Sequence, residues 1–292
     1  MSSRTVTENL VDFVTTACNR PFILNETYKS LSLHLKDINL KQCRLFINID
    51  PMPSSENWEL NVNVARQYFA EVIYHIPTDI NGQPAIKGNV SNAFKWCVDQ
   101  VQKPYTFYLE DDWQFVQDFS IMKLISMVKT LPQIASVNLW KTDGGTSNSS
   151  RIYLSPSLFK TTHLKRINKL LLPDYSPEKQ LRPAHPYTNP YPYGGRILKI
   201  LKYHGICYKK NAYPMVMDLG RNWMQQNGLK KSVGTNGTFL TWSSHHPQHK
   251  LSTIKTIPNQ SIPIHYITMK NLYNSVSNNE SSIQESITKI ID

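Results

Sequence analysis

An α/β fold with a mostly parallel central sheet flanked by helices is the architecture this sequence predicts, and three observations predict it. Segments rich in β-branched and aromatic residues alternate with segments of helical periodicity through residues 1–140. Strands joined through helices must run parallel, with right-handed crossovers. The chain of 292 residues is 40% hydrophobic, enough to close such a sheet between two helical layers.

Taken in order, Val11 to Ala17 opens as a strand and breaks at Cys18-Asn19-Arg20-Pro21. Phe22 to Leu35 follows as a helix, with Phe22, Ile23, Tyr28, Leu31 and Leu35 on its apolar side and Pro21 suited to its first turn. Arg44 to Asp50 is the second strand, stopped by Pro51 and Pro53. Trp58 to Phe69 is helical, Glu71 to Ile76 a strand, and Asn89 to Val101 a third helix carrying Val90, Ala93, Phe94, Cys97 and Val101 on one side. Tyr105 to Leu109 then runs directly into Glu110-Asp111-Asp112-Trp113. A helix from Phe119 to Leu131 and a strand from Ile134 to Trp140 close this half. Regularity then falls. Thr142 to Ser150 reads as a Gly/Ser/Asn loop, Ile152 to Phe159 as strand-like, and the Pro- and Tyr-rich Pro173 to Gly195 as an extended segment lying over a surface. Tyr203–Tyr208 and Tyr213–Asp218 are short strands, Gly220–Asn227 a short helix and Ile262–Met269 a last strand-like run. The organisation expected is an ordered half (1–140), an irregular half of the same domain (141–274) and a polar tail (275–292).

The net charge of +11 is concentrated in one segment. Residues 1–140 hold 12 Lys/Arg against 14 Asp/Glu, residues 141–231 hold 16 against 4, and residues 232–292 hold 4 against 3. A basic segment beside an acidic strand end describes a cleft that receives anions: a nucleotide diphosphate, an anionic acceptor or a phospholipid surface. No RNA- or DNA-binding motif occurs, so no specific nucleic-acid partner is expected. The four cysteines form no CxxC pair and read as reduced core thiols. Met1 to Asp12 has no apolar stretch, and no run is long enough to span a bilayer. A cytoplasmic protein, at most peripherally associated with a membrane, is the expectation.

Three carboxylates at a strand's C-terminal end repel one another unless a cation sits among them, and open α/β sheets bind ligands at that end. Hard oxygen donors suit Mg2+ or Mn2+ holding a phosphate. A solvated acidic turn is the plain alternative. Neither GxGxxG nor GxxxxGK[ST] occurs, so a divalent cation on Glu110, Asp111 and Asp112 is the candidate for gripping a phosphate.

In Thr15-Thr16-Ala17-Cys18-Asn19-Arg20-Pro21, Ile47-Asn48-Ile49-Asp50, Gly88-Asn89-Val90-Ser91-Asn92-Ala93 and Leu109-Glu110-Asp111-Asp112-Trp113 the chain resembles the GT-A-fold glycosyltransferases. These move a sugar from a nucleotide diphosphate sugar to an acceptor. The resemblance covers residues 1–140 well and the remainder loosely, and the Lys-, Asn-, Ile- and Tyr-rich composition is similar to that of members encoded by large DNA viruses. It implies a GT-A-like, Rossmann-like sheet with an irregular acceptor half, and it makes Glu110-Asp111-Asp112 the family's DxD motif. It further implies that Thr16, Ala17, Arg20 and Asp50 line the nucleoside pocket. Asp112 would ligate Mn2+ or Mg2+ directly, Glu110 and Asp111 would reach the ribose or the metal's water ligands, and Lys87 and Asn92 would contact the donor. A third metal ligand would come from His245 or His246, with His204 a further candidate. An inverting reaction would need a general base, for which Glu178 and Asp218 are the candidates.

Each assignment has a plain alternative: Arg20 a surface charge, Asn92 part of a helix cap, Asp50 a turn residue before Pro51, and Glu178 a partner of its own helix's dipole. At the level of the whole chain the expectation is hexosyl or deoxyhexosyl transfer to a glycan or glycoprotein acceptor. A sugar nucleotidyltransferase, or a non-catalytic basic protein that binds glycan or nucleic acid, is the alternative.

Overall fold

The computed structural model describes residues 10–52, 57–83, 85, 88–141, 152–173, 175–182, 195–211, 213–233 and 239–244, the last two segments from residue 229 onward as backbone only. In chain order the strands are β1 (Val11–Cys18), β2 (Arg44–Asp50), β3 (Glu71–His75), β4 (Gly88–Asn89), β5 (Tyr105–Glu110), β6 (Trp113–Phe115), β7 (Ile134–Leu139), β8 (Ser157–Lys160), β9 (His204–Tyr208), β10 (Val216–Asp218), β11 (Leu229–Val233) and β12 (Phe239–Ser244). The helices are α1 (Pro21–His34), α2 (Glu59–Tyr68), α3 (Val90–Gln100), α4 (Ile121–Lys129), α5 (Thr161–Leu170), α6 (Pro177–Leu181), α7 (Arg196–Leu201) and α8 (Gly220–Gln226).

The main sheet has the order β3-β2-β1-β5-β8-β7-β9. β3, β2, β1 and β5 pair in parallel, as do β7 and β9, while β8 runs antiparallel to both of its neighbours. The expected α/β architecture is therefore present, with one reversed strand in a mostly parallel sheet.

Alternation along the strands divides the core between two faces. Phe13, Leu45, Ile47, Phe107 and Leu109 point to the face covered by α1, α2 and α4, where they meet Tyr28, Leu31, Val62, Ala65 and Leu124. Val14, Phe46 and Tyr108 point to the other face and pack with Phe94, Leu164, Ile167, Leu181 and Ile197 of α3, α5, α6 and α7. Side chains of this size contribute about 1.5–3 kcal/mol each when fully buried.

Helix ends follow from local chemistry. α1 starts with Pro21 in its first turn, and its N-cap residue, Arg20, makes no side-chain cap. α3 is capped by Asn89, which accepts from the Ser91 and Asn92 amides at 3.0 Å each. At α4 the Asp37 carboxylate accepts from the Ile121 and Met122 amides and the Ser120 hydroxyl. A negative group there complements the helix dipole.

Several stretches differ from the sequence reading. Ile152 and Leu154 are buried, but the ladder begins only at Ser157, because Pro156 has no N–H to give it. The next ten residues form α5, placing Leu164 and Ile167 in the core, and residues 177–181 of the expected extended segment form α6. The run at Ile262–Met269 and the tail from 275 lie outside the described residues. Cys18, Cys43, Cys97 and Cys207 are not joined in disulfides. Among the described residues, no helix is long and apolar enough to cross a membrane.

Candidate functional site

Parallel pairing decides which residues share the site. Thr16 lies opposite Glu110 across β1–β5, and Cys18 opposite Asp50 across β1–β2. The loop after β1, the end of β2 and the acidic turn after β5 therefore meet at one rim of the sheet, although up to about a hundred residues separate them in sequence.

Arg20 and Asp111 form the centre of this rim. Both are almost fully buried, and the guanidinium forks onto the carboxylate, with Nη2 donating to Oδ1 at 2.6 Å and Nε to Oδ2 at 3.1 Å. The Cys18 amide also donates to Asp111 Oδ2 at 3.0 Å, and the Thr27 hydroxyl of α1 donates to the Asp111 carbonyl at 2.6 Å. Burial pushes the Asp111 carboxyl above the usual carboxylate range, opposed by Arg20. Burial would lower the Arg20 pKa, but Asp111, Cys18 and Asp112 outweigh it and hold the guanidinium well above its ordinary value. Arg20 is thus an internal cation and not a surface charge.

Asp112 differs from its neighbour. Its side chain keeps 22% exposure and accepts a single bond from Arg20 Nη2, at 3.1 Å to Oδ2. Glu110 is half-buried. Its amide donates to the Ser155 hydroxyl at 2.8 Å, and its Oε2 accepts from the Trp113 indole at 3.3 Å.

A corner from the second half packs on this turn. β10 pairs antiparallel with β6, bringing Asp218 opposite Trp113, and the Leu219 amide donates to the Asp112 carbonyl at 2.8 Å. Gly220 lies so close to the Asp112 carboxylate that any Cβ there would collide with it. The Trp223 ring sits 5.4 Å from the Arg20 guanidinium carbon. Asp218 itself accepts from the Arg221 amide at 3.2 Å and pairs with Arg221 Nε at 3.1 Å, so it serves α8 at the site's edge.

Glu178 approaches from the other side of the sheet. It pairs with Arg182 one turn later in α6, and the Arg182 guanidinium lies 5.4 Å from the Tyr153 ring. The buried Tyr108 hydroxyl is bonded to Thr16 Oγ1 at 2.7 Å. Burial first, and then the charge of Glu110, pushes its pKa well above the ordinary value, against the bond to Thr16.

The β2 side carries a polar chain. His75 Nδ1 lies 2.7 Å from Asn48 Oδ1, and Asn48 Nδ2 donates to Asp50 Oδ1 at 2.7 Å. Since an amide oxygen only accepts, the imidazole must donate through Nδ1. His75 stacks on Trp96 at 4.9 Å, and burial lowers its pKa. Gly88 approaches Asp50 so closely that a Cβ would lie 2.5 Å from Oδ2. Asp50 is therefore a buried, oriented acceptor and more than a turn residue.

Of the residues singled out in the sequence, the structure gathers Thr16, Ala17, Arg20, Asp50, Glu110, Asp111 and Asp112 at one rim. Glu178 and Asp218 lie on opposite flanks of it. Asn92 is in the first turn of α3, bonded through its amide to Asn89, and His204 is an exposed residue at the start of β9. Lys87, His245 and His246 lie outside the described residues. Sequence reading missed Ser155, His75 and Gly220. An isolated His among strand residues and a Gly two residues after an Asp were the only signals for the last two.

The resemblance implies a divalent cation, and the donor set can be tested for it. Both Asp111 oxygens are committed to Arg20 and the Cys18 amide, which leaves Asp112 and Glu110 as the oxygen donors of the turn. Among the described residues no three His, Cys, Asp or Glu side chains converge on a metal position. Two carboxylates nevertheless suit Mg2+ or Mn2+ of the kind that keeps water and takes phosphate oxygens to complete its shell.

No protein-family model matches the chain, and no curated protein matches it. Among solved structures, it is similar to TarS from S. aureus at 11% identity and a TM-score of 0.45, covering 72% of this chain and 36% of that one. It is similar also to the mannosyltransferase PcManGT from Pyrobaculum calidifontis, solved with GDP-Man and Mn2+, at 9% identity and a TM-score of 0.47, covering 74% of this chain and 59% of that one. A CMP:2-keto-3-deoxy-manno-octonic acid synthetase complexed with CTP aligns at 9% identity and a TM-score of 0.44, over 74% of this chain and 96% of that one. The chain thus spans between about a third and three fifths of the first two. Likeness at this level carries nothing about chemistry.

Proposed function

We propose that the chain is a glycosyltransferase that moves a hexosyl or deoxyhexosyl group from a nucleotide diphosphate sugar to a hydroxyl of a glycan or glycoprotein acceptor. One observation carries the reading. The oriented acceptor Asp50 and the acidic turn at Glu110–Asp112 occupy one strand-end rim, in a fold whose sequence contains no glycine phosphate loop.

In this reading Asp50, fixed by Asn48 and His75, accepts an N–H from the nucleobase. Thr16 and Ala17 form the floor beside it. Asp112, with Glu110, would hold Mn2+ or Mg2+, whose chemistry is to neutralise the charge of a departing diphosphate. Arg20 sets the direction of Asp112 through their shared bond and holds Asp111 out of solvent. Glu178 takes the acceptor hydroxyl's proton, and its Arg182 partner orients it. Asp218 and Gly220 form the wall that closes on the acidic turn. Lys87 would contact the donor phosphates, Asn92 the donor sugar, and His245 would complete the metal's shell.

The test is hydrolysis and transfer with UDP-, GDP- and dTDP-sugars, with and without Mn2+. Turnover that needs the cation and disappears in Asp112→Asn is expected. Full activity in that variant, or no turnover with any donor, would overturn the proposal. Formation of a nucleotide sugar from a nucleoside triphosphate and a sugar would identify a nucleotidyltransferase instead. In Glu178→Gln the rate with a good acceptor should fall about 100-fold or more.

A further inference from the structure

We infer that the surface formed by α5 and α7 docks on an anionic lipid bilayer. The two helices are neighbours over the same core, where Leu164 and Ile167 of α5 and Ile197 of α7 are buried together. Arg166 Nη1 donates to the hydroxyl of Tyr203, just after α7, at 3.2 Å, and the Tyr203 ring stacks on His163 at 4.2 Å. With their apolar sides turned inward, α5 carries exposed Arg166 and Lys169 with half-buried Lys165, and α7 carries exposed Arg196 and Lys199, followed at once by exposed Lys202. None of these six is in an ion pair with a described residue, and residues 161–173 and 195–217 contain no Asp or Glu. Asp99 of α3 reaches α5 only to accept a hydrogen bond from Asn168, and Glu178 is held by Arg182.

Three aliphatic side chains stand among these cations: Leu170 and Leu172 at 41% exposure and Ile200 at 58%. Cations without an ion-pair partner among the described residues, mixed with exposed aliphatic groups, match the two terms of interfacial binding: attraction to anionic headgroups and shallow burial of hydrocarbon. A single-stranded nucleic acid would call for exposed aromatic platforms, whereas the tyrosine that joins the two helices among the described residues, Tyr203, is 8% exposed and already stacked. The end of this surface lies near the rim of the candidate site, because the Leu172 carbonyl accepts from the hydroxyl of Ser91 in the first turn of α3, which follows Gly88. Docking would thus bring a lipid-borne hydroxyl near the rim, but the binding surface stands independently of the catalytic reading.

The experiment is co-sedimentation of the full chain with phosphatidylcholine vesicles and with mixed phosphatidylcholine–phosphatidylglycerol vesicles, at low and high salt. Binding to the anionic vesicles alone, weakened by salt, is expected. Lys169→Glu/Lys199→Glu should weaken it by more than about 25-fold, at about five-fold or more per charge removed. Ile200→Ser should weaken the part that survives high salt. Lys29→Glu/Lys123→Glu makes the same change in net charge on α1 and α4, across the sheet, and should leave binding unchanged. Equal loss in both double variants would overturn the assignment, since net charge alone would then explain it. Equal binding to neutral vesicles, or no vesicle binding together with oligonucleotide binding that Lys169→Glu/Lys199→Glu abolishes, would do the same.

Discussion

The acidic strand end and the α5–α7 surface both concentrate charge, and they treat it in opposite ways. At the strand end, Asp111 has its counter-ion inside the fold, in the fork from Arg20. On α5, on α7 and at the residue just after it, six cations stand with no ion-pair partner among the described residues. A buried charge is tolerated only with its partner in place, whereas an exposed one costs the fold almost nothing. Charges of the first kind define the site's shape, and charges of the second kind are available to something outside the chain.

Breaking the inner pair should have the largest effect. Arg20→Met leaves a buried carboxylate uncompensated and should cost about 3–5 kcal/mol in urea unfolding. Arg20→Met/Asp111→Leu should recover most of that loss. Failure to recover would mean that Arg20 stabilises the fold through Trp223 or Asp112 and not through the pair.

Crowding the turn comes next. Gly220→Ala drives a methyl group into the Asp112 carboxylate and should cost about 1–3 kcal/mol, together with displacement of Asp112. Asp112→Asn should leave thermal stability within about 0.5 kcal/mol of wild type, as expected of a partly exposed group with a single cationic partner. The contrast between adjacent residues is the sharpest form of the comparison, since Asp111→Asn should be strongly destabilising where Asp112→Asn is not.

The smallest effect expected is a pH slope. The folded-state pKa of His75 is lowered by burial, so as pH falls the unfolded chain takes up the proton first. Its contribution to stability is fully present above about pH 6.5, the unfolded value, and is lost as pH falls through the lower folded value. Unfolding of His75→Asn measured across this range should show a shallower slope than wild type. An unchanged slope would assign the acid sensitivity to other groups.

Much of this was legible in the chain. Alternating strand and helix patterns predicted the parallel half almost element by element, because a buried parallel strand such as Arg44–Asp50 is apolar on both faces and a helix such as Asn89–Val101 shows its stripe. The rim was legible for the same reason: strand ends converge once the order is known. What was not legible depended on contacts distant in sequence. Nothing local distinguishes Asp111 from Asp112, and only the approach of Arg20 from 91 positions away makes one structural and leaves the other partly exposed. The closeness of Gly220 to Asp112 likewise depends on the pairing of β10 with β6. The α5 helix was readable from the spacing of Leu164, Ile167 and Leu171, but its mostly polar sequence obscured that stripe.

The reversal of β8 bears on how the chain can be divided. Because this strand runs against β5 and β7, it places the segment just before it beside the carboxyl end of β5, and Ser155 there meets the Glu110 amide. The two halves are therefore interleaved within one hydrogen-bonded surface. A fragment ending near residue 141 would keep the acidic turn but leave one whole side of β5 without a ladder, exposing a row of backbone donors and acceptors to other chains. Such a fragment would tend to self-associate, and co-expression with the missing half is the route by which a split form of this protein could assemble.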